Sequence, residues 1–187
     1  MGILIIVGIV ALLALVVVGV YNKYIKLKNL NQEGWSGVEV YLQKRWDLIP
    51  NLVNTVKGYA THESQTLENV IKMRSQVMSI DTKDIDNIEK VQKIENELTK
   101  TLRSIMMLQE SYPNLKADQS FLSLQSELSS IETDVQSARK YYNGTARDLN
   151  TFVETFPNNI IGNFLSFKTA KFFDADEQVH TVPEVKF

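Results

Sequence analysis

This chain of 187 residues contains no cysteine. That excludes a disulfide framework, a thiolate nucleophile, a cysteine-held metal and an acylated cysteine anchor. Histidine is nearly as scarce: His62 and His180 are the 2 in the chain. His62-Glu63 begins like a helical zinc motif, but Thr66 stands where the second histidine belongs. Neither Gly-x-Ser-x-Gly nor a phosphate-cradling glycine loop occurs. No catalytic residue, metal site or cofactor is therefore expected, and the reading is of a non-enzyme. Glycine and proline are few, 8 and 4, which leaves room for long helices. Charge of one sign is also missing: 20 Lys and Arg face 22 Asp and Glu, a formal net charge of -2. Nucleic acid is not an expected partner.

What the chain does have is an apolar start. Ile3 to Val20 reads ILIIVGIVALLALVVVGV, without a charge. At about 1.5 Å rise per residue it reaches roughly 27 Å, close to the hydrocarbon thickness of a bilayer. Tyr21 and Tyr24 follow where an aromatic belt belongs. The competing reading is a cleaved secretory signal, with Val17 and Gly19 near the cut. No Lys or Arg precedes the run, however, and the run is long for a signal. The expectation is a retained anchor over 1–22, with the lipid bilayer as partner. Lys23, Lys26 and Lys28 flank one end and nothing positive flanks the other. By the positive-inside rule the amino terminus lies outside and the remainder in the cytoplasm.

Hydrophobic periodicity predicts an all-α fold beyond the anchor. Helix one runs from Tyr21 to about Asp47, with Leu27, Leu30, Val38, Leu42 and Arg45 at helical spacing, and continues the membrane helix. Trp46-Asp47-Leu48-Ile49-Pro50 predicts a hard reversal, because proline lacks the backbone donor and disfavours a helical residue before it. Helix two then runs from about Pro50 to Ser79, and Ser79 to Asp84 is a turn. The apolar stripe of helix three includes Ile88, Val91, Ile94, Leu98, Leu102 and Ile105. Tyr112 to Asp118 is the next reversal, with Pro113 blocking continuation and Asp118 capping helix four. Phe121, Leu124, Leu128, Ile131, Val135, Ala138, Tyr142, Leu149, Phe152 and Phe156 give that helix a coiled-coil-like seam, and Pro157 ends it. Four long helices with short turns pack as an antiparallel up-down four-helix bundle over 23–157. The Phe-rich tail and C-terminal strap occupy 158–187. Its dense aromatics either cover the open end of the bundle, the expected arrangement, or lie on the bilayer with Lys168 and Lys171.

Several separated motifs then occur in order. Tyr41 to Val53 (YLQKRWDLIPNLV) and Val56 to Glu63 (VKGYATHE) come first. Tyr112-Pro-Asn-Leu-Lys-Ala117, Arg139-Lys-Tyr-Tyr-Asn143 with Asn150, and Pro183-Glu-Val-Lys-Phe187 follow. The chain resembles the LemA family of bacterial membrane proteins over nearly its whole length. The resemblance implies an N-terminal anchor with an outside amino terminus, a helical bundle and the bacterial inner membrane. It implies no activity.

The function expected is a membrane-anchored scaffold that self-associates or recruits an as yet unknown protein partner; the alternative is an enzyme or an accessory subunit near the membrane. Three sets of residues are singled out. Trp46, Asp47, Tyr112 and Lys116 flank the two reversals far from the bilayer, as core plugs or as a recognition patch. Leu149 and Phe152 lie on the long seam and are expected at a homo-oligomer contact. Arg139, Asn143 and Asn150, with Glu68 at a matching height, are either ordinary rim residues or a partly buried polar network. Glu89, Glu95, Glu97 and Glu110 read as a solvated face.

Overall fold

The computed structural model describes residues 1–82 and 84–173, apart from the side chain of Asp86. The strap residues Val182, Val185 and Phe187, and His180, lie outside the described residues. Among those described, six α-helices and no strand occur: α1 Gly2–Lys57, α2 Ser64–Met78, α3 Ile88–Met107, α4 Pro113–Lys116, α5 Gln119–Glu154 and α6 Asn158–Leu165. Single 3-10 turns at Ile85–Asn87 and Leu108–Glu110 flank α3.

The reversal expected at Trp46 to Pro50 does not exist. α1 is one helix of 56 residues with Pro50 inside it. An interior proline removes the bond to the carbonyl four residues back, at a cost of about 3 kcal/mol. Here that carbonyl belongs to Trp46, and the Arg74 Nε–H of α2 donates to it at 2.9 Å. A side chain replaces the donor that proline lacks. Packing supplies the rest: Ile49, Leu52 and Val56 are fully buried on both sides of Pro50, each burial stabilising by about 1.5–3 kcal/mol. The true turn is Gly58 to Glu63, where the Tyr59 and Ala60 N–H groups both bond to the Val56 carbonyl.

The other turns fall where the residues predict them. α2 stops at Met78, and Ser79 bonds back to the Ser75 and Gln76 carbonyls. Pro113 sits in the first turn of α4, where its missing donor costs nothing. Asp118 Oδ1 accepts from the Phe121 N–H at 2.8 Å and caps α5.

The chain forms two units. One takes α1 from Gly37 onward, α2 to α4, and α5 up to Ala138. Its core holds Val38, Leu42, Ile49, Val70, Ile88, Leu98, Phe121 and Val135. The other unit pairs residues Met1–Ser36 with Arg139–Phe172. There Gly34 allows a close approach to α5: a Cβ on it would stand 3.1 Å from Thr145 Oγ1 and 3.3 Å from the Tyr142 Cα. Trp35 packs edge-on against the Tyr142 ring. Buried Asn31 donates to Thr145 Oγ1 at 3.1 Å. Burial pushes the Tyr142 hydroxyl up to about 12, and it donates to the Lys171 carbonyl at 2.6 Å. α1 from Ile3 to Val18 is exposed along its apolar length, and that stretch is long and apolar enough to cross a membrane.

Candidate functional site

In the unit built from Gly37 to Ala138, two charged side chains are buried outright among the described residues. Arg45 is 2% exposed and Glu95 is 0% exposed. Arg45 and Trp46 are consecutive on α1, so their side chains diverge by about 100°. Both nonetheless hold Glu95 of α3. One Glu95 oxygen accepts from Trp46 Nε1 at 2.5 Å, and the other pairs with the Arg45 guanidinium. Arg45 Nη1 also donates to Glu132 of α5 at 2.7 Å and to Thr99 of α3 at 3.2 Å. With Arg74 on the Trp46 carbonyl, this cluster ties together helical segments from α1, α2, α3 and α5.

A buried ion pair is not free stabilisation, since desolvation offsets much of its Coulomb energy. Losing one partner is what costs, about 3–5 kcal/mol, because a bare charge is left inside. The cluster therefore fixes which faces of the four segments meet. It also borders a pocket of about 280 Å³ lined by Arg45, Thr99, Leu102, Arg103, Met106, Gln125, Leu128, Ser129 and Glu132. Glu132 is 34% exposed, so the polar cluster reaches solvent through this pocket.

The structure redistributes the residues singled out in the sequence. Trp46 is a core residue inside the C-terminal part of α1, not a tip residue, so it offers no recognition surface. Asp47 is exposed and accepts from Gln43 Nε2 at 2.8 Å. Tyr112 is half-buried just before α4 and Lys116 is exposed on it. The patch thus loses the aromatic at its centre. Leu149 is buried in the core of its own unit, and Phe152 is half-buried. Leu149 is therefore not available as an oligomer contact.

Of the polar set, Glu68 is exposed on α2, beside a second pocket lined by Lys57, Thr61 and Ile71. Asn150 of α5 makes a paired contact with the backbone. Its Nδ2 donates to the Ala170 carbonyl at 2.9 Å and its Oδ1 accepts from the Ala170 N–H at 2.7 Å. It clamps the stretch after α6 to α5 as a neighbouring strand would. Arg139 and Asn143 lie on α5 in the same unit as Asn150. Glu68 lies in the other unit.

The residue that sequence reasoning misplaces most is Glu95, which reads as surface by its type. The signal is nonetheless present. Ile88, Val91, Glu95, Leu98, Leu102 and Ile105 step by three and four, so Glu95 occupies a stripe position, and half-buried Ile94 lies beside it. Arg45 likewise falls on the apolar face of α1. Charges on apolar stripes that need each other are the available clue.

A model of the LemA family matches residues 34–187 of this chain. Protein LemA of Metamycoplasma hominis is 26% identical over 163 residues, covering 87% of this chain and 72% of that protein. The Arg45–Glu95 cluster falls inside the matched span; the apolar run Ile3 to Val20 precedes it.

Proposed function

We infer, because the chain belongs to the LemA family and starts with an exposed apolar helix, that it is a single-pass, membrane-anchored, non-enzymatic scaffold. It holds a helical bundle at the bacterial inner membrane, amino terminus outside and bundle in the cytoplasm. The observation that carries this is α1. The apolar stretch Ile3 to Val20 and the residues Arg45, Trp46 and Ile49 all belong to this helix. In this reading α1 after Gly37, α2, α3 and α5 form the antiparallel up-down bundle. Recruitment of a protein partner through the helical surfaces and self-association belong to the same proposal.

Protease added to intact, wall-stripped cells tests the sidedness. The reading expects the bundle to survive until the membrane is opened. Digestion before that, or a mature chain starting near Val20, refutes it. Size measurement in gentle detergent tests self-association, which a monomer across a concentration series rejects.

One observation favours a second reading, an accessory subunit or enzyme that takes a small ligand. The pocket beside Glu132 gathers Thr99, Arg103, Gln125 and Ser129 on apolar walls, the usual make-up of a ligand site. Thermal-shift screening of a metabolite panel against the full chain, with Glu132→Gln as the control, discriminates. A hit abolished by that variant supports this reading.

A further inference from the structure

Three exposed apolar side chains gather in the unit that carries the apolar helix. Phe156 is 74%, Ile160 62% and Phe164 88% exposed. They are spaced by four residues, so Ile160 and Phe164 share one face of α6. The opposite face is spoken for. Gly162 is two residues from each, about 200° around the helix, and it is buried against the Phe167 ring, which a Cβ would approach to 3.1 Å. Phe167 reaches that position because Ser166 adopts a left-handed conformation, φ 55°, and the Phe167 N–H closes the helix on the Gly162 carbonyl at 2.8 Å. The chain folds back under α6.

Phe167 in turn fixes the height of α6. Its ring stacks on Tyr24 at 3.8 Å and lies 6.3 Å from Tyr21. The Lys168 N–H donates to the Tyr24 hydroxyl at 3.0 Å. Tyr24 is four residues past Val20, about 6 Å beyond the apolar stretch by helix rise. That is the depth of the headgroup layer, where amphipathic elements settle. Lys23, Lys26, Lys168 and Lys171 are exposed in the same unit, the complement of anionic headgroups.

We propose that α6 is an interfacial membrane helix: Ile160 and Phe164, with Phe156, enter the headgroup boundary of the leaflet where α1 leaves an anionic bilayer. This gives the protein a second lipid contact beside its anchor, and it rests on the anchor reading above. The clamp of Asn150 on Ala170 and the stacking of Phe167 on Tyr24 hold α6 at that level.

The absence of cysteine makes the test clean. Single variants Leu12→Cys, Phe164→Cys and Ser126→Cys of the full chain are labelled with an environment-sensitive fluorophore. They are reconstituted in vesicles of phosphatidylcholine and phosphatidylglycerol carrying nitroxide lipids, shallow or deep. All three positions are exposed, so labelling does not disturb packing. The proposal expects the Phe164 label to shift to the blue and to be quenched best by shallow nitroxides. The Leu12 label should be quenched by deep nitroxides and the Ser126 label by neither. Ile160→Asp should then lower the quenching at 164. Quenching at 12 but not at 164 overturns the proposal and leaves the anchor standing. No quenching at 12 overturns the anchor reading and the proposal with it. A blue shift at 164 without lipid quenching, fading as lipid dilutes the protein, means that a second copy covers the face and also overturns it.

Discussion

Replacing Arg74 by Ala removes the donor that makes Pro50 tolerable inside α1. The Trp46 carbonyl sits in a residue that is 3% exposed, receives Arg74 Nε at 2.9 Å, and faces a proline that has no N–H to offer. Left without a donor, a buried carbonyl costs about 1–3 kcal/mol. Some loss also comes from the packing of the arginine stem. The two contributions separate in a double-mutant cycle. Pro50→Ala restores an N–H four residues after Trp46, so in that background Arg74→Ala should cost less than about 1 kcal/mol. The stem contribution is common to both backgrounds and cancels, which leaves a coupling within about 0.5–3 kcal/mol. Pro50→Ala alone gains a helix bond and loses about 0.4–1 kcal/mol through the freer unfolded chain. Denaturant unfolding of the full chain in mild detergent, followed by circular dichroism, supplies all four free energies. If Arg74→Ala costs the same in both backgrounds, the arginine does not stand in for the missing N–H.

Arg45→Met should destabilise the chain by about 3–5 kcal/mol, since fully buried Glu95 loses its guanidinium partner; adding Glu95→Gln should recover much of that, because the amide oxygen still accepts from Trp46 Nε1 and no charge is left inside. The same denaturation assay reads it, and no recovery refutes the pair. Ile49→Asp places a carboxylate at a fully buried position. It forfeits about 1.5–3 kcal/mol of apolar burial and adds a desolvation cost, so native-like melting of that variant would contradict the packing. The Tyr59 hydroxyl donates to Asp118 Oδ2 at 2.8 Å. The Phe121 N–H, then the Tyr59 hydroxyl, hold the Asp118 carboxyl below its usual range, and that hydrogen bond to Asp118 raises Tyr59. Asp118's contribution is thus complete above its unfolded value, about 3.9, and fades as pH falls through the lowered one. Tyr59's is complete below its unfolded value, about 10, and fades as pH rises through the raised one. NMR titration should show both shifts, and Asp118→Asn should return Tyr59 towards its ordinary value.

Helix ends are legible wherever local chemistry decides them. Ser79, Pro113 and Asp118 act within a few residues of themselves, and each does what its type implies. Pro50 misleads for the opposite reason. Its cost is offset by Arg74, 24 residues further along, and by the burial of Ile49 and Leu52, neither visible in a local window. The stop actually used, Lys57 followed by Gly58, is itself an ordinary signal, masked by the stronger expectation at Pro50. Glu95 reads as solvated because acidic residues on helices usually are. Its place on the α3 stripe outranks its type once Arg45 and Trp46 are available to hold it. The seam on α5 is buried or half-buried from Phe121 to Phe152, and buried Leu149 belongs to the core of its unit, but Phe156 lies past the end of the helix and is exposed. Periodicity shows which side chains are covered, not by which chain.

The claim on which the rest depends is that one helix runs from the apolar stretch through Pro50 to Lys57. Val40 and Lys57 are both exposed on α1, and Val40→Cys with Lys57→Cys gives two spin-label sites in a chain with no other cysteine. Double electron–electron resonance on the full chain in lipid should return one distribution centred near the helical separation, about 26 Å for seventeen residues at 1.5 Å each. A distance near 10 Å, that of neighbouring antiparallel helices, would mean that the chain does reverse at Pro50 and would contradict the account.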